Sequence, residues 1–242
     1  MGAQLVLPGL PARSSTFDRW WDAAGEWVEE PNQRRDGESG VLRLRRADAG
    51  QPLLYCKRQR GHLYRSLRHP FGRPTALREY AALRAFERLG IRVPRMVYCA
   101  ARKQDGRWQA LLVTEALEGF VSLEDWYRGE ARAVHGEALQ RGMLRSLAQT
   151  LARLHRAGWQ HGCLYPKHLF VRVRGQGREA RVEIALLDLE KSRRRLLRQR
   201  ASRRDLSQLR RHTPAMPASD WALFEAEYLH ALRAAAEVAD GF

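Results

Sequence analysis

Trp159-Gln160-His161-Gly162-Cys163-Leu164-Tyr165-Pro166-Lys167-His168-Leu169-Phe170-Val171 is the stretch from which the fold can be read. Upstream of it, Met143, Leu147, Leu151 and Leu154 recur every three or four residues, the spacing of one helix face. That spacing predicts a helix over Leu139–Arg156, stopped by Gly158. Downstream, Leu169–Val173 and Val182–Leu187 read as apolar strands joined across residues 174–178. The second strand delivers Asp188 at its end, facing back toward His168. A helix, a loop bearing two histidines and a hairpin ending in a carboxylate therefore follow one another directly.

Further upstream, residues 1–16 are polar or punctuated by Pro and Gly and read as a loose lead-in. Phe17, Trp20, Trp21 and Trp27 follow at roughly helical spacing, which predicts a packed helix face. Asp36–Val41, with Gly37 and Gly40, reads as a polar turn between segments that can pair; beyond a second turn at 47–50, an apolar strand ends at Lys57. Gly61–Pro74 is a basic loop interleaved with aromatic residues, suited to gripping an anionic saccharide or phosphate and equally to being a plain exposed connection. A helix over Thr75–Leu89 places Tyr80, Leu83 and Phe86 on one face and Glu79 near its start, within reach of Lys57. Residues 91–101 and 108–114 read as a hairpin across Gln104-Asp105-Gly106-Arg107. Ser122-Leu123-Glu124-Asp125 reads as a helix cap, and a last helix over Asp220–Ala236 carries Trp221, Phe224, Tyr228 and Leu229.

This order of elements resembles that of the protein kinases, and in particular the lipopolysaccharide core kinase family, the heptose and Kdo kinases with their InaA-type branch. The family's loop runs His-Arg-Asp, four residues, then His or Asn; here the frame is His161-Gly162-Cys163 followed by His168. The resemblance spans residues 36–235 or so and implies a two-lobed α+β fold. Residues 1–119 would form a small antiparallel-sheet lobe with one helix, and residues 120–242 a short, mainly helical lobe. It implies ATP and Mg²⁺ as cofactors, bound between the lobes. Lys57, held by Glu79, would orient the α and β phosphates, Gly37 and Gly40 would lie over the phosphates, and Glu115 would begin the hinge beside the adenine. Asp188 would carry Mg²⁺, and His168 would fill the second metal-binding or an orienting position. Asp205, in Arg204-Asp205-Leu206, would hold the catalytic-loop backbone.

Cys163 stands where the family has its catalytic Asp. A thiol titrates near 8.5 and accepts hydrogen bonds weakly, so it does not replace an ionised carboxylate. Two functions stay open on the sequence: phosphorylation of a lipopolysaccharide core sugar or another anionic saccharide, and a nucleotide-binding pseudokinase in a stress response. Only 54 residues follow Asp188, fewer than the large lobe of a protein-phosphorylating kinase needs, which favours a small-molecule or sugar kinase.

Composition sets the remaining bounds. The chain has 242 residues, 44% hydrophobic and 29% charged, with a formal net charge of +16. Such an excess attracts phosphorylated ligands, anionic lipid or nucleic acid. With no nucleic-acid-binding module recognisable, nucleic acid ranks last. Seven arginines from Arg193 to Arg204 favour peripheral contact with an anionic membrane. No secretory leader or spanning run is evident, so a cytoplasmic location is expected. Cys56, Cys99 and Cys163 lack metal-ligand spacing and are expected as free thiols.

Overall fold

The computed structural model describes residues 15–34, 37–44, 48, 50–129 and 131–240. The expected lead-in up to residue 14, and positions 36, 47 and 49 of the two expected turns, lie outside the described residues. The chain divides into two compact units, Met1–Ala81 with Pro94–Glu118, and Ala82–Val93 with Gly119–Phe242.

The first unit comprises α1 (Thr16–Trp21), β1 (Gly25–Arg34), β2 (Gly37–Leu44), β3 (Leu54–Arg60), β4 (Leu63–Ser66), β5 (His69–Pro74), the first half of α2 (Thr75–Arg88), β6 (Met96–Gln104) and β7 (Arg107–Glu115). Ser15 and Asp18 cap α1 reciprocally: the Ser15 hydroxyl accepts from the Asp18 N–H at 3.1 Å, and the Asp18 carboxylate from the Ser15 N–H at 3.2 Å. Phe17 and Trp20 are buried from this helix. Trp27 is not on it; the helix closes at Asp22, and Trp27 falls in β1 with its ring partly exposed. The indoles at 20 and 27 mimic a helical repeat that six helical residues are too short to carry.

Five strands pair antiparallel in the order β1-β2-β3-β7-β6. Their inner face buries Leu42, Leu44, Leu54, Cys56, Leu111 and Val113 against Phe17 and Trp20. Full burial of such side chains contributes about 1.5–3 kcal/mol each. The turn of the β6–β7 hairpin is Asp105-Gly106, whose φ values of 50° and 73° suit a two-residue loop.

Three further expectations are corrected in this unit. Gly37 to Val41 is strand rather than loop, paired with β1 on one side and, from Glu38, with β3 on the other. Lys57 lies mid-strand, since β3 runs on to Arg60. Residues 61–74 form the β4–β5 hairpin rather than an irregular loop. Gln59, buried, ties the hairpin to α2: its amide oxygen accepts from the Ala76 N–H at 2.8 Å and its amide nitrogen donates to the Thr75 hydroxyl at 2.8 Å. A strand residue thereby satisfies a helix N-terminus that has no acidic residue of its own.

The second unit holds the rest of α2, then β8 (Val121–Ser122), α3 (Leu123–Arg128), α4 (Ala131–Arg156), β9 (Trp159–Gln160), β10 (Leu169–Arg174), β11 (Arg181–Leu186), β12 (Arg193–Arg194), α5 (Arg198–His212) and α6 (Ala218–Asp240). Ser122 caps α3 as expected, accepting from the Asp125 N–H at 3.0 Å. Helix α4 is interrupted at Gly136, φ 75°, and its later part buries Met143, Leu144, Leu147, Leu151 and Leu154. Helix α6 packs along it through Phe224 and Tyr228, while Leu229, expected on the packed face, is half exposed. A buried polar cluster joins α3, α4 and α6: Gln140 accepts from the Trp126 indole N–H at 2.8 Å and donates to Asp220 at 2.7 Å, and Tyr127 donates to Asp220 at 2.9 Å. The small sheets β11-β10-β8 and β12-β9 flank the loop quoted at the outset.

Candidate active site

The loop between β9 and β10 is organised by Asp205, a fully buried carboxylate on α5. It accepts the His161 N–H at 2.6 Å, the Gly162 N–H at 3.0 Å and the Nε2–H of His155 at 3.2 Å. The Nδ1 of His155 then takes the Tyr228 hydroxyl at 2.8 Å, so the chain of bonds runs from the loop through α5 and α4 to α6. Gln208 accepts the Leu164 N–H at 2.9 Å, and the Ser192 hydroxyl donates to the His161 carbonyl at 3.0 Å. The loop backbone is thus held at His161, Gly162 and Leu164.

Gly162 permits the tight path. Its φ is 80°, and a Cβ there would stand 2.7 Å from the Lys191 carbonyl oxygen. The reversal buries His161, whose Nδ1 accepts the Cys163 N–H at 3.2 Å. Burial pushes the His161 pKa down to about 4, against the attraction of Asp205 and Asp188. Unfolded, this histidine titrates near 6.5, so between those values the unfolded chain binds more protons and stability rises with pH. Urea unfolding should show a loss of about 2 kcal/mol from pH 7 to pH 5, and a much smaller pH dependence in His161→Gln. An equal slope in the variant would assign the effect elsewhere.

Cys163 is buried, with the charges of Asp188 and Lys191 near its thiol. Burial, with the charge of Asp188 adding, pushes its pKa up to about 11, despite the opposing pull of Lys191. It is therefore a neutral thiol, and the cation beside it is Lys191. His168 donates its Nδ1–H to the Cys163 carbonyl at 2.8 Å, and the same Nδ1 lies 3.6 Å from Asp188. Asp188 follows β11 with φ 57°, a left-handed conformation that Asp and Asn tolerate far better than bulkier residues. Its carboxylate is about one-third exposed, at 32%.

Among the described residues no three His, Cys, Asp or Glu side chains converge as a protein-built metal cage. The partly exposed Asp188 carboxylate is the kind of hard oxygen ligand that Mg²⁺ would take, because Mg²⁺ keeps several waters and relies on one or two carboxylates plus substrate phosphates. The imidazole of His168 is a poor Mg²⁺ ligand.

In the first unit, Lys57 on β3 meets Glu79 on α2 at 2.6 Å, with both side chains largely shielded, at 16% and 9% exposed. Gly37 and Gly40 are explained by packing: a Cβ on Gly37 would lie 2.4 Å from the Gly61 carbonyl carbon, and one on Gly40 2.8 Å from the Trp27 ring. Glu115 ends β7 with its N–H donated to the Arg95 carbonyl at 2.9 Å and its carboxylate gripped by the Arg95 guanidinium. Its N–H is therefore already committed to the protein.

Helix, loop, hairpin and carboxylate are thus arranged as in a kinase, and the match extends along the chain. The model of the lipopolysaccharide kinase (Kdo/WaaP) family matches residues 18–228. The chain belongs to this family. It is 42% identical over 219 residues to Protein InaA of Escherichia coli (strain K12), covering 90% of this chain and 98% of that protein. It also superposes on a structure of WaaP in complex with acyl carrier protein, with a TM-score of 0.67 at 20% identity, over 89% of this chain and 83% of that one. The α+β, protein-kinase-like fold of the lipopolysaccharide kinases is therefore the fold of this chain, sheet-rich at its N-terminal side and helical at its C-terminal side.

Motif reading does not single out His155, Ser192 and Gln208, which brace this loop, or Lys191, which lies beside Cys163. Four of the 43 basic residues are lysines, at 57, 103, 167 and 191. Lys57 pairs with Glu79 and Lys191 lies beside Cys163, while Lys103 and Lys167 are exposed.

Proposed function

We propose that the chain is an ATP-dependent kinase acting on a sugar hydroxyl of the lipopolysaccharide core. The observation that carries this is the shielded Lys57–Glu79 pair, the phosphate-orienting arrangement of kinases, in a chain that also presents Asp188 from a strand end. Mg²⁺-ATP would supply the transferable phosphoryl group and the charge neutralisation that transfer needs. Lys57, fixed by Glu79, orients the α and β phosphates, and Asp188 offers the hard oxygen ligand for the metal. His168, anchored through Nδ1, orients the loop. Cys163 leaves the acceptor hydroxyl without a carboxylate partner, so turnover is slow. The arginines of 193–204 hold the protein at an anionic membrane face, although Arg194 and Arg195 are partly occupied by the Ala157 carbonyl and Gln160.

The test is thermal shift with Mg²⁺-ATP, followed by ATP turnover with core oligosaccharide. Millimolar Mg²⁺-ATP should stabilise the protein by several degrees, and Asp188→Asn, which keeps the left-handed backbone, should remove most of that gain. No nucleotide effect sinks the proposal. Cys163 itself favours the second reading, a nucleotide-binding pseudokinase, which predicts stabilisation without turnover.

A further inference from the structure

The β4–β5 hairpin presents two large apolar side chains to solvent in full: Leu67, 104% exposed, and Phe71, 92% exposed. Their exposure is built into the backbone. Ser66 pairs with His69, so Leu67 and Arg68 form the turn. The next pair is Tyr64 with Arg73, which leaves one residue between pairs on β4 and three on β5. That bulge, released by Gly72 at φ 87°, turns Phe71 outward. The stem beneath is braced: the Arg78 guanidinium lies 4.6 Å from the Tyr64 ring centroid, His69 meets Tyr64 edge-on, and the Thr75 N–H donates to the His62 carbonyl at 3.1 Å. Arg65 and Arg68 are exposed next to Leu67 in the chain, Arg73 is exposed with its Nη1 3.3 Å from His69 Nε2, and no Asp or Glu occurs from Gly61 to Arg78.

We infer that this hairpin is a membrane-insertion element that enters the interface of an anionic phospholipid bilayer. Two separate side chains on a projecting tip make a poor protein-binding patch, which needs a contiguous apolar area. They do suit the boundary between headgroups and acyl chains, where Leu and Phe leave water while the arginines stay with phosphate. The hairpin itself carries basic and no acidic side chains, which suits a negatively charged surface. The hairpin acts independently of phosphoryl transfer and of the arginines of α5.

The test uses the full chain without nucleotide. Leu67→Cys carrying an environment-sensitive fluorophore is mixed with vesicles of phosphatidylglycerol and phosphatidylethanolamine, the labelled native protein serving as blank for Cys99. A blue shift with several-fold brightening is expected, and phosphatidylcholine vesicles should give much less. Leu67→Ser/Phe71→Ser, at positions too exposed to disturb folding, should weaken vesicle co-sedimentation by roughly tenfold or more. Replacing Arg198, Arg200 and Arg203 by Gln tests α5 separately and should lower binding while the hairpin probe still responds. A probe that stays dark on anionic vesicles, an equal response to neutral ones, or unchanged binding by the double variant would each overturn the inference. So would loss of self-association by that variant with no vesicle effect, which would make a second copy the occupant.

Discussion

Cys163→Asp is expected to raise ATP turnover with core saccharide as acceptor by about 10²-fold or more, since a positioned base typically contributes 10² to 10⁴. The native thiol is buried and neutral until about pH 11, so it neither takes a proton from an acceptor hydroxyl nor fixes one firmly. A carboxylate on the same backbone would have the positive charge of Lys191 nearby to balance that of Asp188. The loop that would carry it is already held by Asp205, Gln208 and Ser192. Cys163→Ser separates size from charge and should leave the rate near that of the native protein. An unchanged rate in Cys163→Asp, with Mg²⁺-ATP still stabilising the fold, would refute the slow-kinase proposal and leave the pseudokinase standing. A drop in both Cys163→Ser and Cys163→Asp would mean that the thiol itself takes part.

Asp205→Ala should lower stability by about 3–5 kcal/mol, the range for breaking a buried charged network. The substitution strands the His161 and Gly162 amides away from water and removes the acceptor of His155 Nε2. Each orphaned buried donor costs about 1–3 kcal/mol. Asp205→Asn retains an acceptor oxygen but not the charge, and should lose less. Urea unfolding measures the total, and amide exchange at His161 and Gly162 locates it, with protection falling by about two orders of magnitude if some 3 kcal/mol of local stability is lost. A loss under about 1 kcal/mol with unchanged exchange would show that other contacts hold the loop.

The sequence was most legible where one periodicity ran long enough to exclude its rivals. Leu139–Arg156 shows this: its apolar face returns on schedule and Gly158, at φ 75°, stops it. The Lys57–Glu79 pairing and the anchoring role of Asp205 were also within reach, because the family resemblance names both positions. Trp27 misled because spacing alone does not reveal where a short helix is capped. The β4–β5 hairpin was hidden by Pro70 and Gly72, which break the alternation of a strand while making the bulge that shapes it. Gln59, His155 and Gln208 carry no local pattern at all. Their importance lies in which backbone groups they satisfy, and that appears only once distant segments are brought together.

Gly162 and Cys163 are adjacent, yet they are not equally open to replacement. A side chain at 162 would need a left-handed φ of 80° and a Cβ seated 2.7 Å from the Lys191 carbonyl. Any bulk there waits on a shift of the segment bearing Lys191, whereas position 163 can change on the present backbone. The loop is therefore editable at one of two neighbouring positions, and Gly162→Arg/Cys163→Asp should fold worse than Cys163→Asp alone.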